Sequence, residues 1–332
     1  MKWLLGICAA AALGWFAYWF VGASALERSL TAWFEDRRAE GWQVEWTELE
    51  VRGFPNRFDT VLTEPALADP GTGIAWEAPF FQLLALSYQP NKVIAVFPNT
   101  QTISTPLGRS QLDSSKMQAS LHLGASARLP LQSAIFVADA PELSSGIGRT
   151  RAQTLRLAMR ATEGAPQTYD IGVEALSFAL PVAIKRRLDP GELLPAALET
   201  LRLDAVVRFD RDWDLDAIET RRPQPREITL NEARAAWGPL GLRAVGALEI
   251  DDRGRASGEL TIKASNWRDI LQVAERSGLV PSAFLPLMER GLEALAGLSG
   301  PETSLDIPLT LRDGQMRLGF LSLGQAPRFV LR

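Results

Sequence analysis

Apolar and polar residues alternate along most of this chain. From Gly41 onward the dominant period is two. Trp42, Val44 and Trp46 alternate with Gln43 and Glu45, and the rhythm returns in Met117–Leu123, Leu155–Met159, Leu201–Phe209, Leu242–Ile250, Leu260–Ala264 and Leu305–Leu311. Successive side chains of a strand point to opposite faces, so each run predicts a half-buried strand. Turn residues lie between the runs: Asp69-Pro70-Gly71, Gln89-Pro90-Asn91, Asp252-Arg253-Gly254 and Asp313-Gly314. Short turns between successive strands predict antiparallel hairpins instead of βαβ units. The segment Pro79–Phe97 departs from the pattern, because Phe81, Leu83 and Ala85 alternate with Phe80, Leu84 and Leu86 and neither face is polar. A second sheet, a helix or lipid must cover such a face. Phe80, Phe81, Leu84 and Leu86 are therefore the candidate lining of a lipid groove, with a filled sandwich as the alternative.

Helical periodicity is confined to three places. The run Trp3–Leu26 is uncharged, and about twenty such residues cross a hydrocarbon core of roughly 30 Å. Trp15, Tyr18, Trp19 and Phe20 crowd its distal half, where indole and phenol rings favour a membrane interface. Lys2 and the amino terminus are the charges that precede it, which predicts an N-in anchor in the inner membrane with the rest of the chain periplasmic. Arg28, Arg37 and Arg38 pull mildly the other way. Ala23-Ser24-Ala25 also fits a signal-peptide cleavage site, but the run is longer than an ordinary signal core. Beyond it, Leu26, Leu30, Trp33 and Phe34 continue at helical spacing. A second short helix is expected around Pro190–Thr200, where Leu193, Leu194, Ala197 and Leu198 share a face. A helical hairpin is expected over about 266–298, capped by Asn266, broken near Gly278–Pro281 and packed on the sheet.

The expected fold is mainly β (α+β): an N-terminal transmembrane helix, then a long antiparallel curved sheet or sandwich with a C-terminal helical hairpin. The anchor covers 1–26 and an amphipathic helix 27–40. An N-terminal β unit covers 41–220 and a C-terminal β unit 227–332, with the Pro- and Arg-rich stretch Arg221–Arg226 as the boundary. No strict sequence repeat marks a short-repeat solenoid.

Composition and charge mainly exclude. The net charge of −4 over 332 residues lacks the basic footprint of a nucleic-acid binder. One Cys rules out a disulfide framework, and one His rules out a site built on two imidazoles. His122 lies on the polar side of a predicted strand, and no GxSxG elbow accompanies it. Asp210, Asp212, Asp214 and Asp216 lack the Gly and Glu of an EF-hand loop and read as a solvated strand edge. Gly146-Ile147-Gly148 reads as a loop, and Lys185-Arg186-Arg187 as an exposed charged turn. No catalytic, metal or cofactor site is expected.

Four segments carry a resemblance together: Val51–Asp59; Ala78-Pro79 through Leu86-Ser87-Tyr88-Gln89-Pro90-Asn91-Lys92; Ala264-Ser265-Asn266-Trp267; and Asp313–Met316 with Leu323–Pro327. They resemble an alphaproteobacterial domain-of-unknown-function family, number twenty-one twenty-five, over nearly the whole chain. That family supplies no activity to carry over. More distantly, the anchor–helix–strand opening is similar to AsmA-like envelope proteins, which implies an anchored β-sheet with a hydrophobic groove. Within the motifs, Gly53-Phe54-Pro55 breaks a strand, and Arg57 and Asp59 then project from one face as a structural corner. Trp267 is expected to plug the sheet at a helix start. The expected role is non-enzymatic: binding or passing membrane lipid, or supporting envelope assembly. The alternative is a module that binds another envelope protein by strand addition, and an envelope hydrolase using paired carboxylates stands third.

Overall fold

A computed structural model describes residues 1–277, 285–299, 304–319 and 321–331. They form two compact units: Met1–Ala125 with Leu143–Gly146, and Ser126–Glu142 with Ile147–Arg332. Strands dominate both, and every pairing described below is antiparallel.

The first unit opens with one continuous helix, α1 (Lys2–Ala39), unbroken between Ala25 and Leu26. It is long and apolar enough to cross a membrane. The strands that follow are β1 (Gln43–Glu45), β2 (Glu48–Arg52), β3 (Arg57–Thr63), β4 (Ala66–Asp69), β5 (Ile74–Glu77), β6 (Phe80–Leu86), β7 (Gln89–Phe97), β8 (Thr100–Thr105), β9 (Gly108–Asp113) and β10 (Lys116–Leu123). They build two sheets, ordered β1-β4-β5-β8-β9 and β2-β3-β6-β7-β10. The chain crosses between them in pairs: β2–β3, then β4–β5 in the other sheet, β6–β7 back, β8–β9 across again. Pro65, Pro79 and Pro98 stand at these crossings. A proline cannot donate to a ladder, so it ends one strand and frees the next to change sheet. Gln89-Pro90-Asn91 is strand, not turn; the tight turn is Ser87-Tyr88, and Pro90 precedes the first pair with β10, at Lys92.

Between the two sheets lies a packed layer. Phe34 of α1, Val44 and Leu67 of one sheet and Leu62 and Phe81 of the other meet there. Trp76 stands edge-on to Phe81 at 5.8 Å, and Phe81 lies 5.1 Å from Phe97. The indole N–H of Trp76 donates to Gln101 Oε1 at 2.8 Å, so the polar atom inside this layer is paired.

The second unit contains β11 (Leu131–Asp139), β12 (Glu142–Ser145, shared with the first unit), β13 (Gly148–Arg151), β14 (Thr154–Ala161), β15 (Thr168–Phe178), α2 (Val182–Leu188), β16 (Leu198–Phe209), α3 (Leu215–Glu219), β17 (Pro225–Trp237), β18 (Leu240–Ile250), β19 (Ala256–Ser265), α4 (Trp267–Arg276), α5 (Leu285–Ser299), β20 (Ser304–Arg312), β21 (Gln315–Leu318) and β22 (Leu321–Gln325). Its sheet runs β11-β14-β15-β16-β17-β18-β19-β20-β21-β22. Asp252–Gly254 turns β18 into β19, and Asp313-Gly314 turns β20 into β21. Arg221–Arg226 lies inside this unit, joining α3 to β17, and β17 pairs with β16.

Three local expectations are corrected. Helix occupies Val182–Leu188 instead of Pro190–Thr200. Asp189 takes the Leu193 and Leu194 amides on its carboxylate at 3.0 and 2.9 Å, which diverts those donors from a helix, and Pro195 has none to offer. Asp210–Asp214 leaves the sheet as a loop before α3, so it is no strand edge. Asp210 binds Arg221 at 2.8 Å and takes the Gln224 amide. Asn266 does not cap α4 with its side chain; it sits in left-handed conformation and donates its amide to Pro239 O. The expected break at Gly278–Pro281 lies outside the described residues, and α4 and α5 flank it.

Candidate functional site

Register decides the character of the second unit's sheet. Residues directly opposite one another in paired strands share a face. Phe136, Leu157, Val173, Leu203, Ala233, Ala244, Ile262 and Ile307 therefore form one row across eight strands. The next row, on the opposite face, is Arg156, Glu174, Arg202, Arg234, Arg243, Lys263 and Asp306. Glu232 bridges Arg243 at 3.0 Å and Arg202 at 3.8 Å on that face. Exposed pairs add little stability, but they show that this face belongs in water.

The apolar face is covered at its ends. α4 and α5 cover one part, where Trp267 and Leu271 pack on Ala264, Leu305 and Ile307. Phe329 and Ala326 cover Leu248, Ile250 and Leu311. Near the Asp212 loop, Phe209 lies 5.8 Å from Tyr169 and 5.6 Å from Trp213, and the Trp213 amide donates to the Tyr169 hydroxyl. Burial pushes the Tyr169 phenol up.

The middle is open. Val173, Leu201, Leu203, Ala233, Ala235, Leu242, Ala244 and Ile262, together with Arg202, Arg234 and Arg243, line a trough of about 430 Å³, and Leu242 is 43% exposed. That volume lies within the usual range of ligand sites. Alanines on β17 and β18 keep the floor low, while leucines on β16 and β18 stand above it. Further along β18 and β19, Gly246 and Gly258 have φ of 146° and 147°; a Cβ on Gly246 would lie 2.3 Å from Glu259 O. No residue with a side chain fits there without moving the neighbouring strand.

Phe80, Phe81, Leu84 and Leu86 do not share one face. Phe81 joins the packed layer of the first unit, while Leu84 and Leu86 pair with Asp59 and Arg57 on the other side of the sheet, where Phe80 also lies. Alternation alone could not separate them, because both sets are apolar. The trough residues were legible as strand positions, and their small–large alternation was the available signal.

The motif Gly53-Phe54-Pro55 with Arg57 and Asp59 forms a clasp on α1. Gly53 has φ of 101°, and a Cβ there would lie 2.8 Å from Arg57 Cβ. Arg57 pairs with Asp59 at 2.9 Å. Trp15 donates to Pro55 O at 2.9 Å, Trp19 to Arg57 O at 2.7 Å and Tyr18 to Ser87 O at 2.6 Å. Phe58 packs on Trp19 and Ala23, and Gly22 gives it room: a Cβ there would lie 2.8 Å from Phe58 Cζ. The Ser87 amide donates to Asn56 O, tying the β6–β7 turn to the β2–β3 turn. Trp267, the first residue of α4, is buried against Ala264, Leu305 and Ile307. His122 lies on β10 opposite Lys92.

Residues 19–327 match the profile of a family described as an uncharacterized protein conserved in bacteria (DUF2125). No curated protein and no solved structure matches the chain. The matched stretch begins at Trp19, inside α1 and within the clasp.

Proposed function

The chain belongs to the bacterial family DUF2125, and we propose that it is an inner-membrane-anchored periplasmic protein that holds acyl lipid in the trough of its second unit. The trough carries this reading: an open apolar channel in the centre of a sheet face whose other side is charged. An acyl chain laid along Leu203 and Leu242 leaves water at about 0.8 kcal/mol per buried methylene, while its headgroup remains in solvent. The α1 helix supplies the attachment to a donor leaflet, with Lys2 and the amino terminus on the cytoplasmic side. No bond is made or broken; the role is non-enzymatic binding or transfer.

The test is mass spectrometry of lipid retained by the purified full chain. The wild type is expected to retain acyl lipid, and Ala233→Phe with Ala244→Phe, which fill the trough, to retain at least tenfold less. Equal retention by both sinks the reading. A second reading, strand addition by a partner protein, is favoured by the position of β22 at the end of the strand order. It predicts that Leu323→Pro abolishes partner binding and leaves lipid retention unchanged.

A further inference from the structure

We propose that the corner made by the β2–β3 and β6–β7 turns enters the membrane beside α1, giving the protein a second, monotopic contact with the bilayer. This rests on the anchor reading of α1 but not on lipid in the trough.

Length carries the argument. A helix needs about twenty residues to cross a hydrocarbon core of roughly 30 Å. With Lys2 at one surface, the other boundary falls near Gly22. The first unit, however, already holds the helix at Trp15, Tyr18 and Trp19. The free stretch from Lys2 to Gly14 spans only about 20 Å at 1.5 Å per residue. The helix cannot complete its crossing before the corner begins, so the corner shares the depth of Trp15–Trp19.

Its chemistry suits that depth. The large apolar side chains it presents outward are Phe54, Leu86 and Tyr88, exposed by 48%, 39% and 59%, and Arg52, Asn56 and Arg57 are exposed beside them. Phe54 extends the ring cluster of Phe16, Trp19 and Phe20 from the helix. A backbone carbonyl without a donor is costly in hydrocarbon. Here the carbonyls of Pro55, Arg57 and Ser87 each accept from an indole or phenol of α1. The helix thus provides the donors that make a non-helical turn compatible with lipid. Arg57, paired with Asp59, sits where its guanidinium can reach out to the headgroups.

The experiment uses the full chain carrying Cys8→Ala, with single cysteines at Tyr88→Cys, Phe54→Cys, Leu13→Cys or Leu107→Cys. Each is labelled with an environment-sensitive fluorophore in phosphatidylcholine/phosphatidylglycerol vesicles. Leu13 marks the free helix, and Leu107, fully exposed on the β8–β9 turn, marks the aqueous body. Acyl-chain doxyl lipid is expected to quench the labels at 88, 54 and 13 at least twofold, with iodide ineffective there; position 107 behaves the opposite way. Quenching at 13 combined with iodide access at 88 and 54 overturns the corner and leaves the anchor standing. Iodide access at 13 as well overturns both.

Discussion

The two units use the same strand pattern and finish it differently. In the first, the short hairpins β4–β5 and β8–β9 cross to a second sheet, and Leu62, Phe81 and Phe97 are sealed against Leu67 and Trp76. In the second, β15 to β19 run as long neighbours in one sheet, with register shifts along β17, and the middle of their apolar face remains a trough. A half-apolar strand specifies which face avoids water. What meets that face is set by the excursions between strands.

Substitutions can break this comparison. The largest effect is expected from Phe81→Asp, which puts an unpaired carboxylate between two sheets and costs more than about 4 kcal/mol in urea unfolding. Leu84→Asp, three residues on and on the opposite face, is expected to cost no more than about half as much. Equal losses would show that the first unit is not sealed on one side. Next, Trp267→Ala removes the plug over Ala264 and Leu305, with an expected loss of about 3–5 kcal/mol.

Acid gives a smaller effect. Burial pushes the Asp189 carboxyl up, but the Leu194 and Leu193 amides and the Lys185 ammonium outweigh it and hold it below the ordinary carboxylate range. A depressed carboxylate contributes stability above its unfolded pKa, about 3.9, and loses that contribution as pH falls through the lower folded value. Asp189→Asn is therefore expected to lower the melting temperature at neutral pH, with the gap to wild type closing below about pH 4. A constant gap across that range would place the loss in the packing of the loop. The smallest effect on stability is expected from Leu242→Asp in the open trough, about 1 kcal/mol or less, while lipid retention falls sharply.

How far the sequence went follows from the range of each cause. Alternation is local, so Leu201–Phe209 and Leu242–Ile250 were legible as strands. The crossings between sheets were not, since β4–β5 and β8–β9 repeat a topology without repeating residues. The Pro190–Thr200 pattern had helical spacing, but one carboxylate at Asp189 claimed the amides a helix would need. The corner at Gly53–Asp59 was legible as a break in a strand. Its purpose was not, because Tyr18 and the Ser87 carbonyl it reaches are 69 residues apart. Periodicity likewise marked Leu203 and Leu242 as facing away from water without revealing that the space before them stays open.

The central claim is that this open face holds acyl chains, and photo-crosslinking tests it most directly. Full-length protein in vesicles carrying a phospholipid with a diazirine near the end of its acyl chain is irradiated, digested and mapped by mass spectrometry. Adducts are expected on peptides containing Leu203 and Leu242, and are expected to disappear from those peptides in the Ala233→Phe, Ala244→Phe double variant. Adducts confined to α1 and the Phe54–Tyr88 corner, with none on β16–β19, would contradict it.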